Sequence, residues 1–266
     1  MLIIVSPSKT MEICKHPIVH ELTKPRFLKE TQYIVSLVSK MTIDELKTFM
    51  AISDKIATQN YDRFQLFNKK NNQTQKSPAV LTFTGEVYTG LQAANWSNTH
   101  FDFAQQHLRI LSGMYGSLLP KDEILPYRLE MGSRLKTTKG SNLYHYWKEI
   151  ITSSLQTDLK KSSSNLLINL ASGEYAKVVE FTKLKTRVIT FDFYELRNGK
   201  KTFVSFSAKR ARGLMATYII KNQIMTFDQL KDFNEEGYLY DIESSTQDHL
   251  VFVKDVMFPA SEKPKK

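Results

Sequence analysis

The feature that most constrains this chain is a set of short apolar runs that end abruptly in small or polar residues. Leu2-Ile3-Ile4-Val5 stops at Ser6-Pro7-Ser8-Lys9, and Ala79 to Thr84 stops at Gly85-Glu86. Leu108 to Leu111 stops at Ser112-Gly113, and Leu166 to Leu170 stops at Ala171-Ser172-Gly173-Glu174. Runs of this length read as buried strands. Stretches of helical periodicity lie between them, and strands alternating with helices argue for an α/β fold on parallel strands. In open sheets of that kind ligands bind outside the carboxyl ends of the strands. The endings therefore predict one crevice holding Lys9, Glu86, Tyr88, Arg128, Glu130 and Glu174. Fixed cations beside carboxylates there suit phosphate binding, or acid–base work on a base or sugar. The plainer alternative is structural, because Ser, Gly and Pro end strands everywhere and Arg128 with Glu130 reads equally as an ion pair.

Residues 187–196 alternate, with Ile189, Phe191 and Phe193 on one face, and Asn198-Gly199 then supplies a type I′ turn. With a return strand over Lys201 to Ser207, the sheet must be mixed: parallel strands plus an antiparallel hairpin. Flanking helices are expected over 27–40, 87–94, 101–106, from Ser141 through Leu159, over 175–179, and from Ala208 to about Ile224. Thr226-x-x-Gln229 reads as a capping box for a short helix, and Leu250 to Lys254 as the last strand. The glycine- and proline-punctuated stretch 107–132 reads as a long loop, either functional or a covering flap. No linker or repeat divides the chain, so residues 1–266 are expected to form one domain, fraying in the lysine-rich tail from Ser261.

A helical pair is marked over 42–67. Thr42-x-x-Glu45 is a capping box with Met41 able to staple onto Leu46, and Ser53 is placed to cap a second helix reaching Phe67. The pair resembles a helix–hairpin–helix module, which holds a nucleic-acid phosphate on backbone N–H groups at the hairpin. Ser53 and Lys55 would lie at that contact. The hairpin Met50-Ala51-Ile52-Ser53 lacks the usual glycine, so an ordinary helical hairpin is the competing reading.

The formal net charge of +10 favours a polyanionic partner, and Lys and Arg crowd the stretch Lys183 to Lys221 against only Asp192 and Glu195. Lys209, Arg210 and Arg212 stand close together on one predicted helix. At about 100° per residue, Lys209 and Arg212 share a face, expected to front the crevice, while Arg210 sits off it. Gly213 marks a close approach of another backbone or of a ligand.

Other classes are excluded. The apolar runs are too short to span a membrane, and the N-terminus has no basic region ahead of its apolar residues, so no secretion signal is expected. Cys14 is the only cysteine, which fits a reducing cytosol. Neither GxGxxG nor GxxxxGK[ST] occurs, and Ser6 and Ser112 lack a histidine signature. Pro17 interrupts the Cys14, His16, His20 spacing, so no metal and no cofactor is expected.

Taken together, several segments make the chain resemble the YaaA family of bacterial peroxide-stress proteins over almost its whole length. They are Ser6-Pro7-x-Lys9-Thr10, Ile52-Ser53-Asp54-Lys55, Gly85-Glu86-Val87-Tyr88-Thr89-Gly90-Leu91 and Phe101 to Arg109. To these add Leu111-Ser112-Gly113-x-Tyr115-Gly116, Pro126 to Gly132, Asn169-Leu170-Ala171-Ser172-x-Glu174-Tyr175 and Ala208-Lys209-x-Ala211-Arg212-Gly213-Leu214-Met215. The resemblance implies a cytosolic protein induced by hydrogen peroxide that limits free-iron damage. It also implies DNA binding, through a helix–hairpin–helix-like element beside a positively charged cleft in an unusual α/β fold. Glu86 stands where the family commonly has aspartate, and Leu119 where it commonly has arginine. The expected partner is thus double-stranded or branched DNA, held by phosphate contacts from Lys9, Arg128, Lys209, Arg210 and Arg212. The rival reading is an enzyme acting on a nucleotide or nucleobase-like molecule, with Glu86 or Glu130 as the acid–base.

Overall fold

A computed structural model describes residues 1–14, 19, 21–69, 72, 76–162 and 165–256. His16, His20 and the tail from Ser261 lie outside the described residues. The first strand, β1 (Leu2–Val5), is apolar and buried throughout, as a central parallel strand must be. The chain then passes through Ser6 to Lys9 into a two-residue strand, β2 (Thr10–Met11). Helices α1 (Leu28–Val38), α2 (Ile43–Met50) and α3 (Asp54–Phe67) follow. The capping box of α2 is formed: Thr42 Oγ1 accepts from the Glu45 N–H at 3.2 Å, and the Glu45 carboxylate accepts from the Thr42 N–H at 2.7 Å. Ala51 closes α2 in the left-handed conformation, φ 51°, a position glycine usually takes. Ser53 occupies the N-cap of α3, but its side chain makes no capping bond.

The expected strand over Ala79–Thr84 is corrected. After β3 (Ser77–Pro78) the chain makes one helical turn, α4 (Ala79–Thr82), and only β4 (Phe83–Thr84) is extended. The turn is fixed from outside, since the N–H groups of Ala79 and Val80 donate to the carbonyls of Asp122 and Pro120. β4 pairs antiparallel with β2 in a ribbon apart from the main sheet.

Next come α5 (Glu86–Leu91), α6 (Asn98–His107), β5 (Leu108–Ser112), β6 (Gly116–Leu118) and β7 (Glu123–Ile124). The stretch 107–132 is not a flap. Its apolar side chains from Leu108 to Met131 are buried, apart from half-buried Leu119, and Trp147 Nε1 donates to the Gly113 carbonyl at 2.8 Å. A Cβ on Gly113 would lie 2.4 Å from the Leu129 carbonyl oxygen, so the stretch folds back on its own backbone.

The longest helix, α7 (Leu143–Lys161), starts at an Asn142 cap whose side chain accepts from the His145 N–H at 3.0 Å. β8 (Leu166–Leu170), α8 (Gly173–Ala176), β9 (Arg187–Arg197) and β10 (Lys200–Thr202) follow. The hairpin at Asn198-Gly199 forms as expected, but its return strand ends at Thr202. α9 (Ser205–Lys221) begins where Phe203 to Ser207 had read as strand. β11 (Tyr238–Tyr240) and β12 (His249–Asp255) complete the order. At Thr226 the hydroxyl donates to the Gln229 side chain at 2.6 Å and accepts no capping bond from a backbone N–H among the described residues, and a 3-10 turn at Asp228–Asp232 replaces the expected capped helix.

The main sheet is eight-stranded, ordered β11-β12-β9-β8-β1-β5-β6 with β10 on β9. Its five inner strands, from β12 to β5, are parallel, and β6, β10 and β11 pair antiparallel, so the fold is mixed α/β. Val5 stands level with Leu170 of β8 and Ile110 of β5, which brings these strands to a common end. α9 packs on β8 and β9 and crosses α5. That crossing is backbone to backbone: a Cβ on Gly213 would lie 1.9 Å from the Val87 carbonyl oxygen, and one on Gly90 would lie 2.1 Å from that of Arg210. Gly213 thus marks a neighbouring backbone. No described helix is long and apolar enough to cross a membrane.

Candidate functional site

Where β1 and β8 end, two serines clamp the strands together. Ser6 Oγ accepts from the Ser172 N–H at 2.8 Å and donates to Ser172 Oγ at 3.2 Å. Beneath them the Tyr88 hydroxyl donates to the Ser6 carbonyl at 3.1 Å. Burial pushes the Tyr88 phenol well above its ordinary value, so it stays a neutral donor. Thr10 Oγ1 donates to the Thr84 carbonyl at 2.6 Å and ties the ribbon down. Gly85, at φ 124°, lets the chain turn against Ser8, whose Oγ would be 2.6 Å from a Cβ there.

These elements wall a cleft of about 300 Å³, lined by Ser6 to Lys9, Gly85 to Val87, Ser172, Glu174, Tyr175, Phe206, Lys209 and Arg212. Three of the predicted strand endings meet here, after β1, β4 and β8. The fourth does not: Ser112 is buried, sharing a 2.5 Å hydrogen bond with the Tyr127 hydroxyl.

One wall is α9. Phe206, Lys209 and Arg212 recur at three-residue spacing and form one stripe, with Phe206 61% exposed. Arg210 points away and is held by Glu236, whose carboxylate accepts from Arg210 Nε at 2.8 and 2.9 Å. Among the described residues, neither Lys209 nor Arg212 has a carboxylate at ion-pair distance. Burial lowers the pKa of Arg212 from its ordinary value, and Asp192 partly opposes the shift. Guanidinium remains charged regardless. Asp192 is itself engaged by His249 Nε2 at 3.1 Å and by the Tyr194 hydroxyl at 3.4 Å.

The acidic groups differ in the same way. Glu174 Oε1 accepts from the Gly132 N–H at 3.1 Å, and burial raises the pKa of adjacent Tyr175 well above its ordinary value. Glu86, the first residue of α5, has its Oε2 enclosed and without a hydrogen-bond partner among the described residues. Glu130 is engaged through one oxygen. Its Oε1 accepts from Lys9 Nζ at 3.0 Å and from Arg128 Nη2 at 3.2 Å, so Arg128 and Glu130 adjoin the cleft only through Lys9.

Ser53 and Lys55 are exposed on the α2–α3 hairpin and take no part in lining the cleft. Asp54 occupies the first turn of α3 and pairs with Lys47 at 2.7 Å, which puts a carboxylate where a phosphate would be held. Sequence reasoning missed Phe206, because Val204-Ser205-Phe206-Ser207 alternates like a strand. Its three-residue offset from Lys209 was the signal that would have placed it on the helix face.

A cleft with two unneutralised cations, one unpaired carboxylate oxygen, paired hydroxyls and an exposed ring suits a ligand carrying both an anion and hydrogen-bond donors. A family model described as peroxide stress protein YaaA matches residues 1–244, a span that holds every residue of this cleft. The chain belongs to the YaaA family of peroxide-stress proteins.

Proposed function

We propose that the protein acts in the cytoplasm during peroxide stress as a DNA-binding protein, with the strand-end cleft and its basic wall as the contact surface. Binding of this kind would serve the protection from iron-driven damage that the family resemblance implies. The observation that carries the reading is that Lys209 and Arg212 stand on the cleft wall with no carboxylate neutralising them among the described residues. Cations free of partners in the fold are available to phosphates, and contacts to phosphate position a protein without reading sequence. Titration of labelled duplex, branched and single-stranded DNA at two salt concentrations tests this. The expected result is binding that weakens steeply with salt. Absence of binding at low salt would remove the reading, and strong binding indifferent to salt would contradict its phosphate-contact basis.

A second reading is an enzyme acting on a nucleotide-like molecule. It is favoured by the enclosed, unpartnered Glu86 Oε2 in a cleft of about 300 Å³, the scale of a small-molecule site. Glu86 would be its acid–base group, since Glu130 is already occupied by two cations. Turnover of nucleotides by the wild type, lost in Glu86→Gln, would support it. No product from any common nucleoside or nucleotide would set it aside.

A further inference from the structure

The cleft is not uniformly basic, and that distinguishes among the forms of DNA it could hold. Glu86 and Glu174 line it together with Lys9, Lys209 and Arg212. A duplex backbone laid into this space would bring phosphates against both carboxylates. A single nucleotide presents one anion and, away from it, a base edge with N–H donors. The volume of about 300 Å³ is also on the scale of one nucleotide, not of a paired segment.

The aromatic at the rim completes the match. Phe206 is 61% exposed, which nothing in the packing of the fold requires, and it lies one helical turn from Lys209 on the same face. Exposed rings beside cations are the usual platforms for unpaired bases, because every base has a π-face to stack. Phe203, 53% exposed on the turn that follows Lys200 and Lys201, extends this aromatic and basic track outward.

We infer that the cleft seats one unpaired nucleotide of a DNA strand, with its base stacked on Phe206 and its edge towards Glu86. Its phosphate lies against Lys209 and Arg212. The inference rests on the DNA-binding reading and narrows it to DNA with an unstacked nucleotide: a bulge, a gap or a single strand. The Glu86 carboxylate accepts hydrogen bonds, and thymine offers it only N3–H between two carbonyls that repel it, so an amino-bearing base (adenine, cytosine or guanine) is favoured over thymine.

The test uses the full chain and a short duplex carrying 2-aminopurine either paired or in a one-nucleotide bulge, at one salt concentration. The bulged probe should bind more tightly and change its fluorescence on binding. Phe206→Ala should lower affinity for the bulge about tenfold and abolish the fluorescence change, while Phe206→Trp retains both. Because Phe206 is exposed, neither substitution threatens folding. Glu86→Gln should level the preference between bulged adenine and bulged thymine. Equal binding of paired and bulged probes, or a bulge affinity indifferent to Phe206→Ala, overturns the inference and leaves salt-dependent duplex binding standing. Binding of free adenosine monophosphate as tight as that of the bulge assigns the seat to a free nucleotide and overturns a DNA-borne occupant. No binding to any probe at low salt removes the DNA reading itself.

Discussion

Arg109 and Arg212 both lose much of their contact with water, yet they face opposite surroundings. Arg109, on β5, donates through Nε to Asp158 of α7 at 2.7 Å, and Arg26 donates to the same carboxylate oxygen at 2.7 Å. Further Arg109 bonds go to the carbonyls of Gln105 and Leu108. Burial pushes the Asp158 carboxyl up, but hydrogen bonds from Arg26 and Arg109 outweigh it and leave the group below its ordinary value. Arg212, on α9, is half-buried at the cleft with no such partner among the described residues, and its desolvation is met only in part by Asp192. One cation is consumed by the fold. The other is compensated only in part by the fold, and on the DNA-binding proposal an incoming phosphate would complete it.

The contrast makes the two sites respond oppositely to substitution. The largest effect is expected from Asp158→Ala, which leaves Arg109 buried without a counter-charge and should cost roughly 3–5 kcal/mol in urea denaturation. The pH dependence carries the same sign. Because the folded carboxyl lies below its ordinary value of 3.8, its contribution is complete above that value and is lost as pH falls through the folded one. Acid titration of stability should therefore be shallower in Asp158→Asn. Stability in that variant that falls with acid as steeply as in the wild type would break the comparison from this side.

At the cleft the expected order is reversed. Arg212→Gln should leave the melting temperature unchanged or slightly raised, since it removes a desolvated and unpaired charge, while DNA affinity falls about tenfold, the scale of one charged hydrogen bond. A large loss of stability in Arg212→Gln would show that this guanidinium is structural after all. Smallest of all are the paired or remote cations. Arg210→Gln, which breaks an exposed pair with Glu236, and Lys55→Gln, on the helical hairpin, should each change DNA affinity by less than about twofold. Comparable losses at Lys55 would shift the contact surface towards the hairpin.

How far the site was legible in the sequence follows from the physics of each segment. Endings after Val5 and Leu170 could be read because an apolar run that stops at Ser-Pro or Ala-Ser-Gly has little choice but to leave the sheet. Facing of Lys209 and Arg212 followed from helical geometry alone. The run Ala79–Thr84 was misread because a short apolar stretch does not distinguish strand from buried helix, and the deciding bonds come from Pro120 and Asp122, far away in sequence. Val204 to Ser207 alternates as a strand would, yet α9 starts at Ser205, where the Ser207 hydroxyl donates to the Glu195 carboxylate of β9. The 107–132 stretch has loop chemistry but core burial, because Gly113 and Gly116 admit Leu129 and the Trp147 ring at distances that no other residue permits. Tertiary contacts of this sort leave no periodic trace.

The salt dependence of DNA affinity, compared between the wild type and the Lys209→Gln/Arg212→Gln double variant, tests the central claim most directly. If the two cleft cations with no carboxylate at ion-pair distance among the described residues are the phosphate contacts, the slope of log affinity against log salt should become shallower by about two units in the double variant. A slope that does not change, or an equal drop produced by Arg210→Gln alone, would contradict the assignment and point to diffuse surface charge instead.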